Sequence, residues 1–359
     1  MIKKECYTQS WIETKKNEFG GTPYTIEKVI YAFTLLEALV ISGLDFVFKG
    51  GTSLLLHLDK INRLSIDIDI VCNEDDAKIE MVVESISGIS PFKRSSKDDR
   101  GERGLPNREH FRFYYNSIDS GKEENVILDI VRDKCGLPLS EKEISCYVFD
   151  TEGDPLKVKI PTIEALLGDK LTAFAPNTIG VPFVTEKGKK RELQVIKQLF
   201  DVGELFSNAN ELSKIKEAYS LNFKVENGYH ENKYSINEVL EDTKHHCMII
   251  LHHIMKGYDY PDVSAEMLSG IHKLTNHLIG IKFRYNNEAK IAAAKAYLLC
   301  EYILGNCNLK EIDLKYEVVK LKTLSDKKLI SKLSHLERLK AINPEAYYYL
   351  LIASEQKTK

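Results

Sequence analysis

The sequence predicts an α+β protein of two domains, a mixed strand-and-helix region over residues 1–160 and a helical region over 161–359. Three observations predict it. Between Phe46 and Ile70 the chain reads as strand, glycine turn, short helix and second strand. Two further strand-like runs, His110 to Tyr115 and Glu124 to Val131, come before Pro161. Beyond Pro161 the reading is helical almost to the end of the chain. A length of 359 residues fits about two domains.

Composition narrows the class. Apolar content of 43% and charged content of 29% are ordinary for a globular protein. A net charge of −3 gives no global basic field, so a nucleic-acid partner would need a local patch. The seven cysteines are scattered, odd in number and never spaced C-x-x-C. That suggests neither a disulfide framework nor a zinc site, and it fits a reducing cytoplasm. The start of the chain lacks an apolar signal segment. The most apolar stretch, Tyr31 to Phe48, is interrupted by Glu37 and Asp45, so no membrane span is expected.

The elements follow in order. Residues 1–22 are polar and read as a short helix plus a link. Ile26, Val29, Ile30, Phe33, Leu36 and Val40 recur at helical spacing over Thr25 to Ser42, and Gly43 closes that helix. Phe46 to Phe48 are β-formers, ended by Gly50 and Gly51. Thr52 or Ser53 is expected to cap a helix through Leu54 to Leu58. The next strand runs to Cys72, and Glu74 to Gly88 reads as a helix covering the sheet. Pro91 to Glu109 is rich in charge, Gly and Ser and reads as a loop or hairpin tip. Pro138 to Pro161 is a connector with a strand near Tyr147 to Phe149. Thr162 is expected to be the N-cap of a helix continuing over Ala165 to Ala175. Further helices are expected over Glu192–Phe206, Glu211–Tyr219, Ile236–Met255, Ala265–Phe283 and Asn287–Leu304, with two or three more up to Ala353. No internal repeat or low-complexity tract is visible.

The chemistry concentrates between Gly50 and Asp69. In a strand, residues i and i+2 share a face, so Asp67 and Asp69 project together while Ile66, Ile68 and Ile70 point into a core. Two like charges that close repel, and the natural compensation is a divalent cation such as Mg²⁺, which suits hard carboxylate oxygens. The glycine turn and the helix start after it attract phosphate through free N–H groups and a partial positive charge. An anion site and a metal site this close are what a nucleoside triphosphate with Mg²⁺ requires. The turn is not a Walker A loop, since no Lys follows its second glycine, nor a Rossmann fingerprint, since a third glycine is missing.

Other residues carry weaker signals. Asp129, inside the apolar run ENVILDIV, reads as a third carboxylate of the site or as a strand-end acid facing solvent. Lys170, midway along an apolar helix, needs an anionic partner, either a bound triphosphate or a neighbouring Asp169 or Glu164. Asp201 follows Lys197 by four residues, the spacing of an ion pair on a solvated helix face. Lys93, Arg94, Lys97, Arg100, Arg103, Arg108 and Arg112 lie beside Phe111, Phe113, Tyr114 and Tyr115. They suit an RNA contact or, diluted by four acids, a solvated loop. His245, His246, His252 and His253 share a helix without the i, i+4 spacing of metal ligands and read as core and rim residues.

The order of these motifs resembles the nucleotidyltransferases of the DNA polymerase β type. Lys49-Gly50-Gly51-Thr52-Ser53-Leu54 with Arg63-x-Ser65-x-Asp67-Ile68-Asp69 is similar, more narrowly, to the AbiEii/AbiGii toxin family. Asp129, the GDKLTA helix holding Lys170, and the helix ending in Lys197 and Asp201 extend the resemblance through most of the first 205 residues. It departs at Gln198, where that family often has an Asp, which leaves Asp201 as the acid to test.

The resemblance implies a polymerase β-like domain with a mixed sheet, followed by an α-helical domain that completes the nucleotide site. It implies the toxin half of a toxin–antitoxin or abortive-infection pair, with a separate antitoxin protein as partner. It also implies transfer of a nucleotide from an NTP, in some members to the 3′ end of tRNA. On this reading Gly50, Gly51, Thr52 and Ser53 hold the triphosphate, and Asp67, Asp69 and Asp129 bind two Mg²⁺ ions. Lys170 neutralises the pyrophosphate, and Asp201 joins it in nucleotide binding. Two alternatives stand beside this one. The acceptor is a protein hydroxyl that becomes nucleotidylated or phosphorylated, or the chain is a non-catalytic nucleotide- or RNA-binding module.

Overall fold

The computed structural model describes residues 1–59, 62–97, 106–253, 261–319 and 326–355. The chain divides into two compact units, Met1–Thr162 with His277–Ile281, and Ile163–Asn276 with Lys282–Lys359. The return of His277–Ile281 to the first unit had no signal in the sequence. There Leu64 N–H donates to the His277 carbonyl and Ile279 N–H to the Asn62 carbonyl.

The first unit is built on a mixed sheet. Its strands are β1 (Val47–Lys49), β2 (Ile68–Val71), β3 (Arg94–Lys97), β4 (Arg108–Asn116) and β5 (Glu123–Val131), ordered β1-β2-β5-β4-β3. β2 runs parallel to β5, and the other pairings are antiparallel. Side chains alternate across it. Phe48, Ile68, Ile70, Phe111, Phe113, Tyr115, Val126, Leu128 and Ile130 form the buried face. The helix α2 (Pro23–Ile41) lies on that face, with Phe33 edge-on to Phe48 and Tyr31 stacked on Tyr115 at 3.7 Å. The hydroxyl of Thr22 caps α2 by accepting from Thr25 N–H, and Pro23 sits in its first turn. Glu27 is buried in α2 but not stranded, because it accepts from Ser117 Oγ and Ile118 N–H. Around this core lie α1 (Gln9–Phe19) and α4 (Asp76–Ile86), which Asp75 caps at Lys78 N–H.

Two expectations for this unit need correction. Thr52 and Ser53 do not cap the helix after the glycine turn. The turn itself is the helix, a single turn α3 (Gly50–Ser53) passing into a 3-10 turn at Leu54–Leu56. Nor is there a strand at Tyr147–Phe149, where only an isolated bridge joins Cys146 to Phe149. The connector instead forms a two-stranded ribbon, β6 (Leu139–Glu143) with β7 (Lys157–Pro161). The polar run LSEKE leaves β6 largely exposed, so it carries no buried alternation to read.

The second unit is helical: α5 (Ile163–Ala173), α6 (Glu192–Asn208), α7 (Leu212–Tyr229), α8 (Ile236–His252), α9 (Pro261–Leu274), α10 (Glu288–Leu304) and a terminal helix Pro344–Ser354. Three expected ends move. The helix begun at Glu211 extends to Tyr229, α8 stops at His252, and the helix expected to reach Phe283 ends at Leu274 before a 3-10 turn. Ser235 and Glu238 start α8 with a reciprocal capping box. The Ala-rich α10 is buried on nearly all sides and packs against α6, α8 and the terminal helix. Tyr347, Tyr348 and Tyr349 are buried in that last helix.

α5 and α7 approach closely because Gly168 has no side chain. A Cβ there would lie 2.7 Å from the Tyr219 backbone nitrogen. Gly168→Val should therefore force the two helices apart and lower the unfolding free energy by about 1–3 kcal/mol, read by urea denaturation.

Candidate active site

The register of three strand pairings assembles the site. β1 places Lys49 opposite Asp69, β2 places Asp69 beside Asp129, and β4 places His110 opposite Asp129. Residues paired in register share a face. Lys49, Asp69, Asp129 and His110 thus form a row across four strands, on the face opposite the Phe48, Ile70 and Ile130 core. Asp67 precedes β2 by one residue and lies two residues from Asp69. All three aspartates are half-buried.

The turn after β1 is fitted to this row. Gly50 has φ +77°, and a Cβ there would lie 2.0 Å from Asp69 Oδ2. Only glycine lets the backbone turn lie against the carboxylate. A Cβ on Gly51 would fall 2.7 Å from Arg63 Nη2 and 3.1 Å from Ser65 Oγ, so these two residues of the RxSxDID segment brace the turn. Thr52 and Ser53 are fully buried, and their hydroxyls donate to the backbone carbonyls of Asp67 (2.5 Å) and Gly50 (2.8 Å). The bond from Thr52 ties the turn to the strand that carries the aspartates.

His110 is the site residue that sequence reading missed. Its Nδ1 lies 2.6 Å from Asp129 Oδ1, and the residue is 7% exposed. The alternation HFRFYY marks the strand but not its cross-strand partner. The register alone makes the pair.

The donor set suits a hard cation. Asp67, Asp69 and Asp129 offer carboxylate oxygens, the type Mg²⁺ prefers. Gly50 leaves a cradle over Asp69 that any Cβ would fill. Among the described residues, no three His, Cys, Asp or Glu side chains are drawn together tightly enough to hold an ion as they stand. The fit therefore lies in donor chemistry and register, not in a closed cage.

In the helical unit, Lys170 and Asp201 meet. Their side chains are 8% and 2% exposed, with Lys170 Nζ 3.5 Å from Asp201 Oδ2. Glu164, a candidate partner for Lys170, instead accepts from Asn210 N–H at 3.0 Å. Asp201 is not on a solvated face, since α6 turns it inward. Gln198 donates to the Gln194 carbonyl of its own helix. Of the four histidines expected on one helix, His246 and His252 are buried and His245 is exposed, while His253 is intermediate and lies just past the end of α8. His252 contacts His335, and burial, the largest cause, pushes its pKa down to about 4. In the basic and aromatic stretch, Arg94 stacks on Tyr114 and pairs with Glu123, and Lys97 pairs with Glu109. Residues 98–105, with Arg100 and Arg103, lie outside the described residues.

A family model described as the AbiEii nucleotidyl transferase toxin of type IV toxin–antitoxin systems matches residues 34–255. The chain belongs to the AbiEii nucleotidyltransferase toxin family. Its α+β fold is a nucleotidyltransferase fold, and the family makes it a transferase. The AbiEii match takes in the glycine turn, all three aspartates, Lys170 and Asp201. Among solved structures, the chain is similar to JHP933 from Helicobacter pylori, at 15% identity over 84% of this chain and 99% of that one, with a TM-score of 0.43. It is also similar to an antigenic nucleotidyltransferase-like protein from Paracoccidioides brasiliensis, at 15% identity over 55% of this chain and 88% of that one, with a TM-score of 0.35. At these scores neither likeness adds to the family assignment. No curated protein matches the chain.

Two outcomes follow from this geometry. Gly50→Ala should lower the unfolding free energy by at least about 1–2 kcal/mol, from the left-handed backbone alone, and should also displace Asp69. A denaturant melt reads the first effect. Asp201→Ala should cost about 3 kcal/mol or more by stranding the Lys170 cation, whereas Lys170→Met with Asp201→Leu should cost much less. Equilibrium unfolding of the single and double variants checks this.

Proposed function

We propose that this protein is a toxin of a toxin–antitoxin pair acting in abortive infection, which transfers a nucleoside monophosphate from an NTP to the 3′ end of tRNA. The observation that supports this reading best is the in-register pairing of Asp69 with Asp129 on parallel strands, beside a glycine turn that lies directly on Asp69. Such a face brings anionic ligating groups and phosphate-seeking backbone within one strand spacing. Its partners on this reading are the NTP, the tRNA acceptor and a separately encoded antitoxin, and its place is the cytoplasm. Among the described residues no helix is long and apolar enough to cross a membrane.

Roles follow from residue chemistry. The backbone N–H groups of Gly50 and Gly51 hold the triphosphate, and the buried hydroxyls of Thr52 and Ser53 keep the turn in place. Asp67, Asp69 and Asp129 would hold one or two Mg²⁺ ions. When bound, Mg²⁺ supplies charge neutralisation to the phosphate oxygens and favours ionisation of the attacking hydroxyl. The acceptor hydroxyl attacks the α-phosphorus in line, the bond to the β,γ-phosphates breaks, and pyrophosphate leaves. On this reading Asp129 also takes up the hydroxyl proton. Lys170 and Asp201 are assigned to the nucleotide on the family resemblance. Lys170 would offset charge on the pyrophosphate.

The test is to incubate the purified protein with total RNA, Mg²⁺ and each α-³²P-labelled NTP separately. We expect label in a tRNA-sized band, lost by at least about 100-fold in Asp67→Asn or Asp69→Asn with little change in melting temperature. Full activity in either variant would contradict the site. Label on a protein band would move the acceptor to a protein hydroxyl. No NTP binding at all would contradict the transferase reading and favour a non-catalytic RNA-binding module.

A further inference from the structure

His110 is the third residue of β4, where a β-branched or aromatic residue would fill the strand more simply. Instead an almost fully buried imidazole faces Asp129 at 2.6 Å. An ionised carboxylate only accepts hydrogen bonds, so this contact requires a hydrogen on Nδ1 in either protonation state of the ring. The distance is slightly shorter than the roughly 2.7–2.9 Å usual for a charge-assisted N–H···O bond.

Asp129 has a like-charged neighbour on its other side. Asp69 is its register partner on β2, and strands lie about 4.8 Å apart. Repulsion from Asp69 would swing a partly exposed carboxylate away from the row. A donor fixed at Oδ1 opposes that swing. His110 is itself held, since its strand is bonded on one side to β5 and its ring is packed out of solvent.

Resting on the assignment of Asp129 to the metal site, we propose that His110 is a positioning residue that holds the Asp129 carboxylate beside Asp69 in the orientation that binds a divalent cation. It touches neither substrate nor ion. It acts through Asp129, as hydrogen-bond partners of ligating carboxylates do, and loss of such partners typically weakens metal affinity or activity about 10–100-fold.

The test uses the full chain as wild type, His110→Phe, His110→Gln and Asp129→Asn, with Mn²⁺ binding followed by electron paramagnetic resonance. Thermal melts confirm folding. His110→Phe keeps the ring volume without the donor and should weaken Mn²⁺ binding about 10–100-fold. It should raise the Mg²⁺ needed for half-maximal transfer by a similar factor and leave the NTP KM at saturating Mg²⁺ nearly unchanged. His110→Gln, which can still donate, should recover most of the affinity. If the Phe variant does not fold, His110→Ala takes its place, and added imidazole should restore its Mn²⁺ affinity. Wild-type Mn²⁺ affinity in folded His110→Phe or His110→Ala, alongside loss in Asp129→Asn, overturns the role of His110 alone. Wild-type affinity in Asp129→Asn overturns the metal-site reading, and the role of His110 with it.

Discussion

The site depends on the parallel pairing of β2 with β5. That register sets Asp69 beside Asp129 on one face and Ile70 beside Ile130 on the other. Two carboxylates one strand spacing apart repel by about 3 kcal/mol at the effective dielectric of a protein surface. A sheet selected only for stability would carry Thr or Val there. The chain keeps the acids and surrounds them with Lys49 across β1, His110 across β4 and the Gly50 turn above. Each neighbour makes sense as a device for holding negative charge in place.

The apolar face of the same strands explains how the arrangement is tolerated. Phe48, Ile68, Ile70, Leu128 and Ile130 are buried under α2, so a one-residue slip of β2 would carry its isoleucines to the open face and Asp69 into the core. The hydrophobic pattern therefore fixes the register, and the register fixes the carboxylates. Thr52 adds a local tie by bonding the turn to the Asp67 carbonyl.

Much of this was legible in the sequence. The strand–turn–strand reading of Phe46 to Ile70 put the glycine turn after β1 and Asp69 on β2, because strand alternation and glycine punctuation are local signals, while Asp67, expected in the same strand, lies one residue before it. Asp129 stood out as an acid inside an apolar run. Its partners did not, because which residue faces which across a sheet is set by long-range register. His110 looked like one more residue of an alternating strand. The Lys170–Asp201 pair was missed for a related reason, since nearer acids on the same helix, Asp169 and Glu164, offered simpler partners. The ribbon β6–β7 was missed because an exposed polar strand has no buried face to announce it.

The most direct measurement is a crystal structure with Mn²⁺ and a non-hydrolysable NTP, read by anomalous scattering. The account predicts a Mn²⁺ peak about 2.0–2.3 Å from oxygens of Asp69 and of Asp67 or Asp129, with phosphates against the Gly50–Gly51 backbone. A Mn²⁺–nucleotide complex bound elsewhere on the chain, with the aspartate row empty, would contradict it.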